Sequence, residues 1–545
     1  MRNSLFLTQR WLAYLGLLFI ALLGFTPLIS HAQIAKGTLT VTGSPLPAYK
    51  ATPADTEWPM YNKDLLGQRY TALNQINSTN VGNLKEVCRV KVGELTSFHT
   101  GPILIEGALY VTTARDTFAI DPTNCKVLWK STWEPEDMMA PTSNRGVAYA
   151  QGRLFRGTND GRMIALDAKT GALLWKTTVA DPKLAYYMSA APITWNGMVF
   201  MGTAGSDSGI RGKMFAFDAA TGKEIWRFNT IPSAGEIGYD TWKNGVAVET
   251  GGGGFWTSFS LDVQSGEVFI PVANPAPDFN VAYRPGDNLF TNSLVVLDAK
   301  NGKLKWWYQA TPNDGYDYDL AAAPTLYQDS QSKALVALGS KDGYVYRIDR
   351  ETHKLLSKTP VTTIDNVGAP TPEGVKACPG TLGGVEWNGN AFDPINKSLY
   401  VGAVDWCTEF KSEPVKYVPG EAFSGGSKKQ VGKATGWVTS INSDNGEIRW
   451  KYEAGSAMVA GMTPTAGNIL FSGSMGGSFF ALDSLSGKPL FTFNTGGAIA
   501  GGVITYLQKD KQYVATTSGN VSRSSQSFNP LSLGTPTVII FALPK

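Results

Sequence analysis

A chain of 545 residues has room for several domains or for one large β architecture. Its 43% apolar and 17% charged residues are ordinary for a globular protein, and 59 glycines with 15 tryptophans suit many strands joined by tight turns. A net charge of +3 leaves no basic footprint for nucleic acid, so a small-molecule ligand fits better.

The N-terminus reads as a secretory signal peptide, residues 1–32. Arg2 and Arg10 form a positive region, "WLAYLGLLFIALLGF" is the apolar core, and Ser30 and Ala32 occupy the small positions of a cleavage site. The mature chain is expected to begin at Gln33, with 33–55 as an extension. An uncleaved anchor is the alternative reading of the same stretch. Without the two arginines, 46 basic residues face 45 acidic ones. No later stretch is apolar enough to span a bilayer, so no membrane span is expected after cleavage. The expected location is periplasmic. Cys88, Cys125, Cys378 and Cys407 suit an oxidising compartment, with their pairing left open. No C-x-x-C-H is present, so no c-type haem is expected on the chain, and three histidines without C-x-x-C make a structural zinc site improbable.

From residue 84 the chain repeats one unit: an apolar strand, Asp, a four-residue turn ending in Gly, then a strand with Trp eight positions after the Asp. In chain order the copies are "TFAIDPTNCKVLW" (Asp121), "MIALDAKTGALLW" (Asp167), "MFAFDAATGKEIW" (Asp218), "LVVLDAKNGKLKW" (Asp298), "VYRIDRETHKLL" (Asp349), "VTSINSDNGEIRW" (Asn442) and "FFALDSLSGKPLF" (Asp483); those at Asp167, Asp218 and Asp298 match the unit throughout, and the other four are looser. Asp opening and Gly closing a turn is hairpin chemistry, and the flanks alternate as strands do. Spacings of about forty to fifty residues are those of propeller blades. The intervals 218–298 and 349–442 are longer and hold inserted loops. An eighth copy is split between "NLKEVCRVKVG" near residue 84 and the C-terminal "TVIIFALPK". Pairing the two ends would close a ring and remove its sheet edges. The expectation is an all-β, eight-bladed propeller over 56–545, with seven blades as the alternative and most tryptophans docked between blades.

"TPNDGYDYDLAAAP" crowds Asp314, Asp317 and Asp319 beside an apolar stretch. Buried carboxylates are costly unless paired or metal-bound, so the segment is either a solvated loop or a cation site with a general base. Together with "WPMYNKDLLGQRYTALNQINSTNVGNLK", "NRGVAY", "GSDSGIRG", "NPAP" and "RPGDN", in order from about residue 56 to the C-terminus, it resembles the pyrroloquinoline quinone (PQQ) dependent alcohol dehydrogenases.

That resemblance implies an eight-bladed propeller holding PQQ and a metal ion, calcium or a lanthanide. It implies Trp256 of "GGGGFWTSF" as the stacking platform, Arg145 on a cofactor carboxylate, Lys341 near the quinone oxygens and Ser189 as a hydroxyl contact. Glu386 and Trp387 stand where relatives often have Asn-Trp. Asn274 matches a metal ligand, and Asp207 falls where relatives usually carry Glu. Asp317 matches the catalytic base, and Asp319 adds a carboxylate to the metal site, the two sharing one face if the segment is extended. Asp314 reads as a turn residue. The spacing of Cys378 and Cys407 resembles a family disulfide. Departures are Met139 and Ala140 in place of adjacent cysteines, His99 near a usual glutamate, and Met458 for a tryptophan. The implied activity is oxidation of an alcohol larger than methanol, since Asp278 replaces a pocket-narrowing Trp, with electrons passed to a separate c-type cytochrome. A sugar, polyol or polymeric alcohol as substrate, and a non-catalytic propeller scaffold, are the alternatives.

Overall fold

The computed structural model describes residues 53–93, 97–136, 144–365, 368–520 and 534–544. The expected signal peptide, most of the extension, Met139 and Ala140 lie outside these. Strands dominate the described residues, joined by turns and 3-10 segments of three or four residues. Among the described residues, no helix is long and apolar enough to cross a membrane.

The repeat turns form by side-chain chemistry. Asp167 Oδ1 accepts hydrogen bonds from Lys169 N (3.0 Å), Thr170 N (2.8 Å) and Thr170 Oγ1 (2.8 Å), and the Gly171 N–H closes on the Asp167 carbonyl at 2.8 Å. Asp218 repeats the pattern. Each turn joins two antiparallel strands, and the pairings assemble seven four-stranded sheets and one five-stranded sheet. The first four sheets in chain order begin at Ile103–Ile105, Ala148–Ala150, Ile193–Trp195 and Ser260–Asp262. Sheets beginning at Thr325–Gln328, Val375–Ala377 and Thr463–Thr465 follow. The eighth joins Val503–Gln508, Lys511–Ser518 and Thr537–Ala542 to Lys85–Lys91, so the first and last strands of the described residues pair in one sheet.

Neighbouring sheets meet through the repeat residues. Trp129, Trp175 and Trp226 donate their indole N–H to the carbonyls of Ala168, Ala219 and Ala299, the residue after the turn Asp of the next repeat. Each ring lies on the next turn's glycine, leaving no room for a side chain there. Where the fifth repeat has His353 in place of that glycine, the imidazole stacks on Trp306, centroids 4.4 Å apart. Where the first repeat has Cys125, a disulfide to Cys88 bridges the eighth and first sheets.

Middle strands such as Met198–Gly202 are buried on both faces, while the outer strand Leu173–Thr178 alternates exposed and half-buried residues. Strands covered on both faces read as continuous apolar runs because neighbouring sheets pack on either side. The interval 349–442 holds a ribbon, Ser398–Ser412 with Gly426–Asn442, far longer than the six-residue strands elsewhere. Its far end folds back on two loops: the Phe423 N–H donates to the Asp207 carbonyl (2.6 Å), and the Phe279 N–H to the Ser424 carbonyl (2.8 Å). The Cys378–Cys407 disulfide ties Val375–Ala377 to this ribbon.

Candidate active site

The site is built from segments that lead into the first strands of successive sheets. The Gly101 N–H donates to the Arg145 carbonyl at 2.8 Å, the Arg145 N–H to the Ser189 carbonyl at 3.0 Å, and Ser189 Oγ lies 3.5 Å from the Trp256 carbonyl. Backbone hydrogen bonds thus carry residues distant in sequence to one place.

Trp256 and Trp387 face each other edge to face, centroids 6.2 Å apart. Trp387 is fixed by its N–H to the Ala500 carbonyl (2.7 Å) and by stacking on His99 at 4.7 Å. Burial and the neighbouring Arg145 hold the His99 imidazole well below its usual pKa, hence neutral. The Arg145 guanidinium lies 4.5 Å from the Trp256 ring centre and 5.3 Å from that of Trp387, and Arg145 Nη1 donates to Ser189 Oγ at 3.3 Å. Such a cation over two aromatic faces is attracted by their quadrupoles. Arg145, Ser189, Trp256 and Trp387 therefore come together. Met458 is buried in a core cluster with Tyr400 and Phe480.

The opening segment of carboxylates resolves into two roles. Asp314 is a buried turn residue, accepting from Tyr316 N (2.9 Å), Tyr318 N (2.8 Å) and Asn292 Nδ2 (3.2 Å). Asp317 and Asp319 turn toward Lys341 instead, with Nζ 3.2 Å and 2.7 Å from their carboxyl oxygens. Lys341 Nζ is also 6.0 Å from the Trp256 ring centre. The condition of an extended segment is not met: Asp317 has φ +63°, in the left-handed region. The two carboxylates converge through that kink rather than through strand alternation. Burial works against a charged Lys341, but Asp317, Asp319 and Glu386 outweigh it and hold its pKa well above the usual value. Burial raises the Asp317 pKa well above that of a free carboxyl; Lys341 opposes the shift, and Asp319 and Asp207 add to it.

Asn274 donates its backbone N–H to Asp319 Oδ1 at 2.7 Å and its side-chain amide to Asp278 Oδ1 at 2.9 Å. Asp207, on the short turn Ser206–Ser208, completes the group by bonding the Asn274 side chain. The structure gives two further residues roles in this group that the sequence did not show. Asp278 is a buried fourth carboxylate, its pKa driven well up by burial and by Asp207 and Asp317. Arg284, from the "RPGDN" motif, donates to the carbonyls of Pro277 and Asp278 (both 2.9 Å) and to that of Asp314. It pins the Asn274 loop to the Asp317 loop. Nothing local in the sequence shows that Asp278 meets the Asn274 amide or where a long cation reaches.

A model of the PQQ family, described as glucose/ethanol/alcohol dehydrogenase, beta-propeller domain, matches residues 58–371, more than half of the chain. The chain belongs to this family of PQQ-dependent dehydrogenases. A second model, outer membrane protein assembly factor BamB, matches residues 406–527. The dehydrogenase subunit of a quinone alcohol dehydrogenase from Gluconacetobacter polyoxogenes is 30% identical, covering 85% of this chain and 71% of that one. A lanthanide-dependent methanol dehydrogenase of Methylorubrum extorquens is 29% identical over 91% of this chain and 90% of its own. The solved structure of a europium-containing methanol dehydrogenase superposes with a TM-score of 0.83 at 26% identity, covering 90% of this chain and 98% of that one.

The residues present suit the PQQ-dependent family. The aromatic pair offers flat faces, and buried polar atoms beside it, Arg145 Nε and both Glu386 oxygens, have no hydrogen-bond partner within the protein. Asp207, Asn274, Asp317 and Asp319 are all oxygen donors, the set a hard cation requires. Among the described residues, no three His, Cys, Asp or Glu side chains are already arranged around a metal position.

Proposed function

We propose that this protein oxidises an alcohol larger than methanol to the aldehyde or ketone, with PQQ as the hydride acceptor and a separate c-type cytochrome taking the electrons. The convergence of Asp317, Lys341, Arg145 and Trp256 carries this reading, because a scaffold has no use for that combination. The cofactor, when bound, supplies an electrophilic quinone carbonyl. Trp256 would give it a stacking face, Arg145 with Ser189 would hold a carboxylate, and Trp387 with Glu386 would line the site beside them. Asp207, Asn274, Asp317 and Asp319 would hold calcium or a lanthanide, a Lewis acid on that carbonyl. Asp317 Oδ takes the proton of the substrate hydroxyl, with Lys341 beside it favouring its ionised state. Asp278, smaller and more polar than an aromatic residue, gives the substrate pocket its extra room. The eight sheets are read as eight blades of one domain over 56–545. It follows a signal peptide, residues 1–32, and acts in the periplasm.

The test is the Asp317→Asn protein. It should retain PQQ, measured by absorbance after reconstitution with metal, and lose about 10²- to 10⁴-fold in dye-linked turnover across an alcohol panel. Near wild-type turnover would remove Asp317 from the chemistry. Methanol as the best substrate would contradict the pocket assignment.

A further inference from the structure

The catalytic scheme uses Glu386 only as a wall of the cofactor site and gives its buried carboxyl group no partner. Its loop closes on Lys341: the Gly384 N–H donates to the Lys341 carbonyl at 2.8 Å. The side chain is 2% exposed, and neither carboxyl oxygen finds a hydrogen-bond donor in the protein. Its buried neighbours in the site are satisfied: Asp278 accepts from Asn274, Asp314 from Tyr316 and Tyr318, and Asp319 from Lys341. A buried carboxylate left unpaired costs several kcal/mol as a rough scale, so an orphan of this kind points to a ligand or to a neutral acid.

On the reading that this cavity holds PQQ, we propose that Glu386 recognises the cofactor as a neutral carboxylic acid, donating its O–H to one of the ligand's oxygens. The charged groups that face it are Lys341, Asp319 and Arg145, from three different loops. Lys341 is already shared by Asp317 and Asp319. An incoming ligand with three carboxylates would be repelled by an ionised Glu386 and welcomed by a protonated one. The protein favours the second state, because burial, helped by Asp319 and opposed by Lys341 and Arg145, pushes the Glu386 carboxyl up to about 8.

The sign of the pH dependence follows. An anionic ligand that accepts the Glu386 proton in a hydrogen bond raises that pKa further. Above about pH 8 binding therefore takes up a proton, and affinity falls as pH rises, by up to about tenfold per pH unit. Glutamine keeps a donor and an acceptor in the same place and does not titrate. Alanine keeps neither.

The experiment measures PQQ binding itself. Purified chain, stripped of cofactor and metal, is titrated with PQQ at fixed calcium between about pH 6.5 and 9.5, following quenching of tryptophan fluorescence. Glu386→Gln should bind as wild type does at neutral pH and stay flat where wild type weakens. Glu386→Ala should bind about tenfold more weakly at neutral pH. A wild-type profile no steeper than that of the Gln protein, or a Gln protein as weak as the Ala protein, overturns the proposal. Failure of all three proteins to bind PQQ would overturn the functional reading on which it rests.

Discussion

At the scale of single residues, the site depends on side chains that position others. Arg284 is fully buried, and its guanidinium spans the Pro277–Asp278 carbonyls, Asn288 Oδ1 at 3.0 Å and Asn313 Oδ1 at 3.2 Å. It also lies opposite the carboxylates of Asp314 and Asp278. Removing a buried cation strands every acceptor it served, which costs about 3–5 kcal/mol. Arg284→Ala should therefore lower stability by that amount in denaturant unfolding. Arg284→Lys should recover only a small part, since a single ammonium cannot reproduce the planar fork. Full rescue by lysine would show that charge alone matters there.

At the scale of the element, the repeat turn and its tryptophan form one unit. Gly222 has φ +71°, and a Cβ placed there would lie 2.5 Å from the Trp175 ring. Gly222→Ala combines left-handed strain with a collision and should cost about 2–4 kcal/mol. Gly197 has φ +75°, but a Cβ placed there would meet nothing within 4 Å. Gly197→Ala should thus cost only the backbone term, about 1–2 kcal/mol. Thermal unfolding of the two proteins separates these contributions, and equal losses would mean that the tryptophan contact is soft. The same logic explains two exceptions to the repeat. Cys125 and His353 both have positive φ where other repeats have glycine, and each is held by a partner, Cys88 or Trp306.

Across the whole molecule, two sets of carboxylates titrate in opposite senses. The turn residues Asp167 and Asp218 have pKa values lowered by hydrogen bonds from Thr170 and Thr221. The stability they contribute is present above the ordinary carboxylate range and is lost as pH falls through their lowered values. Glu386 is raised from 4.5 to about 8, so its contribution is present below 4.5 and is lost as pH rises toward 8. Cofactor-free protein should be most heat-stable near about pH 5 and decline on both sides. In Glu386→Gln the decline between about pH 5 and 8 should be shallower. A melting temperature that climbs steadily from pH 5 to 8 in the wild type would refute this assignment.

The strands, their turns and the pairing of the two chain ends were legible in the sequence, because turn chemistry and alternation act over a few residues and recur seven times. The aromatic, basic and acidic members of the site were legible only through a resemblance of ordered motifs, since residues as far apart as Arg145 and Lys341 share no local signal. Tertiary structure decided the rest. It paired Cys88 with Cys125, an outcome the sequence left open, because the eighth sheet places one beside the other. It brought Asp317 and Asp319 together through a left-handed kink rather than an extended strand. It made Asp278 a buried acceptor of the Asn274 amide, a contact that no local sequence signal shows. It also left Glu386 without a donor, for burial and the reach of long side chains depend on what other sheets bring alongside.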